Sequence, residues 1–260
     1  MKKVFKIVCE GNTDMALFKE LVPEFGRIAN KVYKVEELFP PSKAANAGWP
    51  NLKLWCMKQA ALLQGSINAQ REAAAAILGV PPGVQVKKRA VDLISAACQT
   101  KQGDAETKVI IVQLDSDIAH DLLADVGRSK DDFLFPMHPT ERLKVCEDAL
   151  DSWLGPHAAK KGVNIFYCIN LVSIENWVLT LHGHHELKVP DGYDYDLVHA
   201  PDVLLVELGY PAKKNKEGVM VLKKDPPKYK VHGQKMSSQL SLCCARSQTL
   251  RNFGEVLEYA

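Results

Sequence analysis

The chain predicts an α/β fold, a mostly parallel sheet flanked by helices, and three observations carry that prediction. Three short apolar runs rich in Val and Ile stand far apart: Val4–Cys9, Lys108–Leu114 and Val163–Ile169. Each is closed by a polar or glycine-containing turn, the pattern of strands buried on both faces. Segments with helical spacing separate them. Each run is also followed by acidic residues: Glu10-Gly11-Asn12-Thr13-Asp14, Asp115-Ser116-Asp117 and Ser173-Ile174-Glu175. In open α/β sheets ligands sit at the carboxyl ends of the strands, so five carboxylates are expected to converge on one sheet edge.

The elements follow in order. After the first strand, Met15, Phe18, Leu21 and Val22 have helical spacing, with Thr13 or Asp14 as cap and Pro23 and Gly26 marking the end. A second strand is expected over Lys31–Leu38. Residues 42–104 read as a helical insertion, broken at Pro81-Pro82-Gly83. The second apolar run returns the chain to the sheet, and an exposed loop containing Ser129-Lys130-Asp131-Asp132 follows it. Leu143, Cys146, Leu150, Trp153 and Leu154 place a helix over Thr140–Leu154, closed by Gly155-Pro156. The third run leads into a helix over Ile174–Leu181. Residues 186–260 form a C-terminal extension with a basic segment and a terminal helical region, Ser237–Tyr259, interrupted near Ser247 or Gly254.

Bulk properties set the frame. At 260 residues and 47% hydrophobic content, one domain, 1–260, with an insertion is the natural size. No apolar run approaches the roughly 18 residues of a membrane span. Met1-Lys2-Lys3 precedes only a brief apolar stretch with no small-residue cleavage site, so no secretory signal is expected. The seven cysteines lack CxxC spacing and mostly lie in apolar segments, which points to reduced thiols in a cytoplasmic protein. A net charge of +2 says little about partners, but eight lysines crowd the stretch Lys213–Lys235. Such a stretch either tracks a phosphate backbone or is a solvated loop or hairpin.

The acidic clusters carry the chemistry. Crowded carboxylates repel unless neutralised, and a hard divalent cation bound through oxygen is the usual answer. Glu10-Gly11 places a carboxylate on a tight turn where a ligand can approach closely. Asp115 and Asp117, two apart, point to one side of the sheet if the strand persists. Ser173 can cap a helix or assist a metal site. Taken singly, each has an ordinary alternative: Asp14 is a common cap, DxD occurs by chance, and Ser173-Ile174-Glu175 can simply start a helix. Elsewhere, His182-Gly183-His184-His185 lacks the spacing of a helical ligand pair and reads as a polar turn, and His120 as a loop residue. Cys243-Cys244 reads as core. No P-loop or GxGxxG is present, so an NTPase or dehydrogenase reading has no support.

Together, EGNTD, LDSD and SIENW resemble the acidic signature of the Toprim fold, shared by topoisomerases, bacterial primases and OLD-family nucleases. The set is similar to E-x-x-x-D, D-x-D and S-x-E of OLD-type enzymes, at Glu10 and Asp14, Asp115 and Asp117, and Ser173 and Glu175. The Glu175–Trp177 helix and the serine- and arginine-containing segment Arg246–Phe253 resemble the compact RloB-like relatives linked to prokaryotic anti-phage defence. Two departures stand out. The gap from Glu10 to Asp115 exceeds that of a compact Toprim domain, and Ile118-Ala119 supplies no third acid after DxD, a role left to Glu175.

The resemblance implies a nuclease dependent on Mg²⁺ or Mn²⁺, with Glu10, Asp14, Asp115, Asp117, Ser173 and Glu175 as the metal set. Glu10, Asp115, Asp117 and Glu175 would be catalytic, with Lys235 or Arg246 supplying a cation for developing charge. Lys223, Lys224, Lys228, Lys230 and Arg246 would contact DNA or RNA. The implied role is a toxic effector in anti-phage defence, restrained by a partner ATPase or sensor and open to assembly as a homo-oligomer. Two alternatives accompany it: a non-catalytic Toprim-like interaction subunit of a defence or restriction-associated complex, and a small-molecule phosphotransferase.

Overall fold

The computed structural model describes residues 2–40, 48–61, 106–133, 136–155 and 165–260. Four strands, β1 (Lys2–Val8), β2 (Val32–Phe39), β3 (Glu106–Asp115) and β4 (Ile165–Asn170), form a sheet in the order β2-β1-β3-β4. All three pairings are parallel. The four expected strands are therefore present, and helices flank the sheet on both faces. Of the expected 42–104 insertion, residues 49–61 are helical, Gly48 precedes them in a bend, and 42–47 and 62–104 lie outside the described residues.

Alternation along the strands sorts the core onto two faces. Phe5, Ile7, Val109 and Ile111 point to one face, where they meet α1 (Asn12–Ile28) and the C-terminal helices. Ile110, Val112 and Leu114 point to the other, toward Leu52, Cys56, Leu122 and the helix Pro139–Leu154. The continuous apolar character of β3 follows from burial on both sides.

Helix α1 runs past its expected end. Pro23 lies inside it and the helix continues to Ile28. Tertiary packing offsets the missing backbone donor: Leu21, Val22 and Gly26 are all buried. A Cβ on Gly26 would stand 2.7 Å from Tyr33 Cγ, so glycine there lets α1 close onto β2.

Two further expectations are refined. The expected Ser237–Tyr259 region forms two helices, Leu240–Arg246 and Gln248–Tyr259, and a further helix, Pro226–Ser238, precedes them. The break falls at Ser247, whose hydroxyl caps the last helix by accepting from Leu250 N, while Gly254 stays helical. The basic segment begins as an antiparallel hairpin, β5 (Ala212–Lys214) with β6 (Met220–Leu222), ahead of the Pro226–Ser238 helix. The expected turn at the histidines contains the helical turn His184–Leu187. Among the described residues the cysteines are free thiols, and no helix is long and apolar enough to cross a membrane.

Candidate functional site

The chain leaves β1 toward β2 on one side and reaches β4 from β3 on the other, so the strand order reverses between β1 and β3. At such a switch point the loops beyond the carboxyl ends diverge and leave a crevice. Glu10 follows β1 and Asp115 ends β3, so both stand at that crevice. The Glu10 carboxylate accepts from the Asp115 backbone N–H at 2.7 Å, and Glu10 N donates to Gln113 Oε1 at 3.3 Å. Gln113 Nε2 in turn donates to Asp115 Oδ1 at 2.8 Å. A buried glutamine inside an apolar strand thus ties the first two acidic clusters together.

Asp14 occupies the third helical position of α1 and reaches back to accept from Gly11 N at 2.9 Å. It therefore caps the helix from within, and the N-cap itself is Gly11 rather than Thr13 or Asp14. Gly11 has extended backbone, not the tight turn expected, and a Cβ there would sit 3.4 Å from Asp14 Oδ2.

Asp115 and Asp117 do not share an extended strand. The chain turns into a 3₁₀ segment, Ser116–Ile118, held by Asp117 N donating to Val172 O at 3.0 Å. Asp115 is buried as a result, while Asp117 is the most solvent-open of the five acids. Glu175, 1% exposed, opens the short helix Glu175–Leu179, and Ser173 is buried just before it.

The five carboxylates lie close enough to act on one another's charge. Burial pushes Glu10 up to about 8; the Asp115 N–H opposes this, and the charges of Asp14 and Asp117 add to it. Burial, then the Glu175 charge, lifts Asp14 to about 6. Asp115 is raised well above the usual carboxylate range by burial and by all four other acids. Asp117 is raised by burial, with Lys224 opposing and Glu175 adding. Glu175 is the exception. Burial would raise it, but Lys224, Tyr229 and Ser173 outweigh that and hold it low.

Lys224 Nζ lies 2.9 Å from Glu175 Oε1, and Tyr229 OH donates to the same oxygen at 2.6 Å. Burial lowers Lys224, yet Glu175, Asp115 and Asp14 more than compensate and keep it firmly protonated. Lys224 is therefore the cation paired with Glu175. Lys235 is exposed near the end of the Pro226–Ser238 helix. It lies six residues beyond Tyr229, roughly 9 Å further along the axis at 1.5 Å per residue, so the helix carries it away from the carboxylates. Arg246 donates to Thr180 O at 2.7 Å and stacks 5.9 Å from the Tyr195 ring centroid, which commits it to packing. Lys223 and Lys230 are exposed and Lys228 is half-buried.

Sequence reasoning did not single out Gln113, Tyr229 or Arg142. Arg142, in the first turns of the Pro139–Leu154 helix, donates to Leu171 O and opposes the rise of Asp117. Gln113 had a visible signal, a polar residue inside Val109–Leu114. Tyr229 and Arg142 had none, because only folding brings their helices to the sheet edge.

The donor set, carboxylate oxygens with a serine hydroxyl, has the hard-oxygen chemistry of Mg²⁺ or Mn²⁺. As the side chains stand, however, no three His, Cys, Asp or Glu among the described residues are grouped to hold a metal ion. The hydrogen bonds above account for part of that: Glu10 is turned to Asp115 N, Asp14 to Gly11 N, and Glu175 to Lys224 and Tyr229. Comparison of the chain with protein-family models, curated proteins and solved structures finds no match.

Proposed function

We propose that the chain is a divalent-metal-dependent nuclease of Toprim type. The observation that carries this reading is the placing of Glu10 and Asp115 at the switch point of a parallel sheet, joined directly and through Gln113, with Asp14, Asp117 and Glu175 close enough to act on their charge. Glu10, Asp115 and Asp117 would hold Mg²⁺ or Mn²⁺, with Asp14, Ser173 and Glu175 completing the set. When bound, such an ion polarises a phosphoryl oxygen and acidifies water.

The chain's own groups divide the remaining work. Hydrolysis forms a P–O bond to water, breaks the P–O bond to the leaving oxygen and moves a proton from the one to the other. Glu10 would act as general acid or base in that transfer. Lys224 supplies positive charge beside the phosphate, the role expected of Lys235 or Arg246. Exposed Lys213, Lys214 and Lys223 on the adjoining hairpin supply a surface for the backbone of DNA or RNA. The assignment to anti-phage defence under a partner ATPase or sensor rests on the family resemblance.

The second reading, a non-catalytic interaction subunit, is favoured by Lys224, which neutralises Glu175 without any metal. One assay separates them: plasmid, single-stranded DNA and tRNA incubated with Mg²⁺ or Mn²⁺, using wild type, Glu10→Ala and Asp115→Ala. The nuclease reading expects cleavage that falls by about 100-fold or more in both variants. Cleavage that survives both substitutions, or none by wild type, overturns it. Expression without a partner should be toxic for wild type and harmless for Glu10→Ala.

A further inference from the structure

Lys224 holds an unusual place. It lies two residues beyond β6, next to Lys223, whose backbone N donates to Pro211 O at 2.8 Å. Its ammonium reaches Glu175 at 2.9 Å, and its charge is felt at Glu10, Asp14, Asp115 and Asp117 as well. One side chain thus acts on all five acids, and Glu175 is the one it helps to hold low. Yet that side chain is half exposed, whereas Glu175 is 1% exposed.

We propose that Lys224 is a built-in counter-cation that competes with the divalent metal for the acidic site, so that metal binding expels its ammonium to the hairpin surface. The proposal rests on the metal-site reading above and adds its regulation. Three observations lead to it. Glu175 already has a cation and a phenol donor on one oxygen, so it cannot turn that oxygen to a metal while both remain. Two cations placed among the same carboxylates repel each other. Finally, a destination exists: Lys213, Lys214 and Lys223 are exposed on and beside the same hairpin, and an expelled Lys224 would extend their basic surface. The same lysine would then neutralise the resting site and, after metal entry, hold a phosphodiester at its mouth. Metal would bind first and nucleic acid second.

The test is direct titration with Mn²⁺ by calorimetry, comparing wild type, Lys224→Met and Lys224→Arg. Removing the competitor should tighten Mn²⁺ binding by about tenfold or more, while Lys224→Arg, which keeps the charge, should bind as weakly as wild type. Equal or weaker binding by Lys224→Met overturns the competition but leaves the metal site standing. No Mn²⁺ binding by either form overturns the metal reading as well. A second measurement uses unmodified protein and so does not depend on a variant folding. Acylation of Lys224 by a water-soluble reagent, followed by peptide mass spectrometry, should be slow without Mn²⁺ and several-fold faster with it. An unchanged rate at saturating Mn²⁺ overturns the expulsion.

Discussion

Glu10 and Asp115 are joined by a 2.7 Å hydrogen bond from the Asp115 backbone N–H to the Glu10 carboxylate, across the point where the strand order reverses. The acid that begins the site is thus also a clasp between β1 and β3. Its charge and its accepting oxygen are separable by substitution. Glu10→Gln keeps an acceptor for Asp115 N, whereas Glu10→Ala removes it. Both should abolish hydrolysis, but only Glu10→Ala should destabilise the fold, by about 1–3 kcal/mol for an unsatisfied buried donor. Chemical denaturation of the two variants checks this.

The same residue makes stability depend on pH. Glu10 titrates near 8 in the fold against an ordinary value of 4.5, so between these values the folded chain binds more protons than the unfolded one. Stability must therefore fall as pH rises through that window. Asp14, lifted to about 6, adds to the fall at its lower end. Without divalent metal, the melting temperature should be higher at pH 6 than at pH 8.5, and Glu10→Gln should flatten the difference. A profile that rises across this range counts against the buried charge cluster.

Tyr229 should matter for stability through Glu175. Its hydroxyl donates at 2.6 Å to a carboxylate that is 1% exposed. Tyr229→Phe removes a hydrogen bond to a charged group and should cost about 1.5–3 kcal/mol in denaturant unfolding. It should also raise the Glu175 carboxyl, which the Tyr229 donor helps to hold low.

Gly26 tests the packing of α1 on β2 independently of any function. An added methyl would meet Tyr33 Cγ at 2.7 Å and Lys31 O at 2.9 Å. Because one of these neighbours is backbone, the clash cannot be relieved by a side chain alone. Gly26→Ala should destabilise by about 1–3 kcal/mol, read as a lower melting temperature, with no change in metal binding.

The basic hairpin predicts a salt signature. If Lys213, Lys214 and Lys223 neutralise phosphates, replacing all three by Ala should reduce the slope of log affinity against log salt. The reduction on duplex DNA should be roughly 0.9 for each phosphate left without its lysine. Fluorescence anisotropy with a short duplex in Ca²⁺ measures it. An unchanged slope removes the hairpin from the interface.

Sequence alone determined the four strands and the placing of acids at their ends. Val- and Ile-rich runs closed by polar residues can satisfy burial only as interior parallel strands, and the acids had to follow wherever those strands stopped. It also placed the Thr140–Leu154 helix, and of its two candidate breaks, Ser247 and Gly254, the first is the one that forms. It erred where tertiary contacts outweighed local signals. Pro23 did not end α1, because buried Leu21, Val22 and Gly26 hold the helix together. Asp117 left the strand plane because Val172 draws its N–H into a turn.

Only the tertiary structure decided which cation meets the carboxylates. In the sequence Lys223, Lys224, Lys228, Lys230 and Lys235 are equivalent members of one basic run. The hairpin sends Lys224 inward, and the helix after it brings Tyr229 to Glu175 while carrying Lys235 away. Charge pairing between residues about fifty positions apart depends on the path of the chain, which no local pattern of apolar and basic residues records.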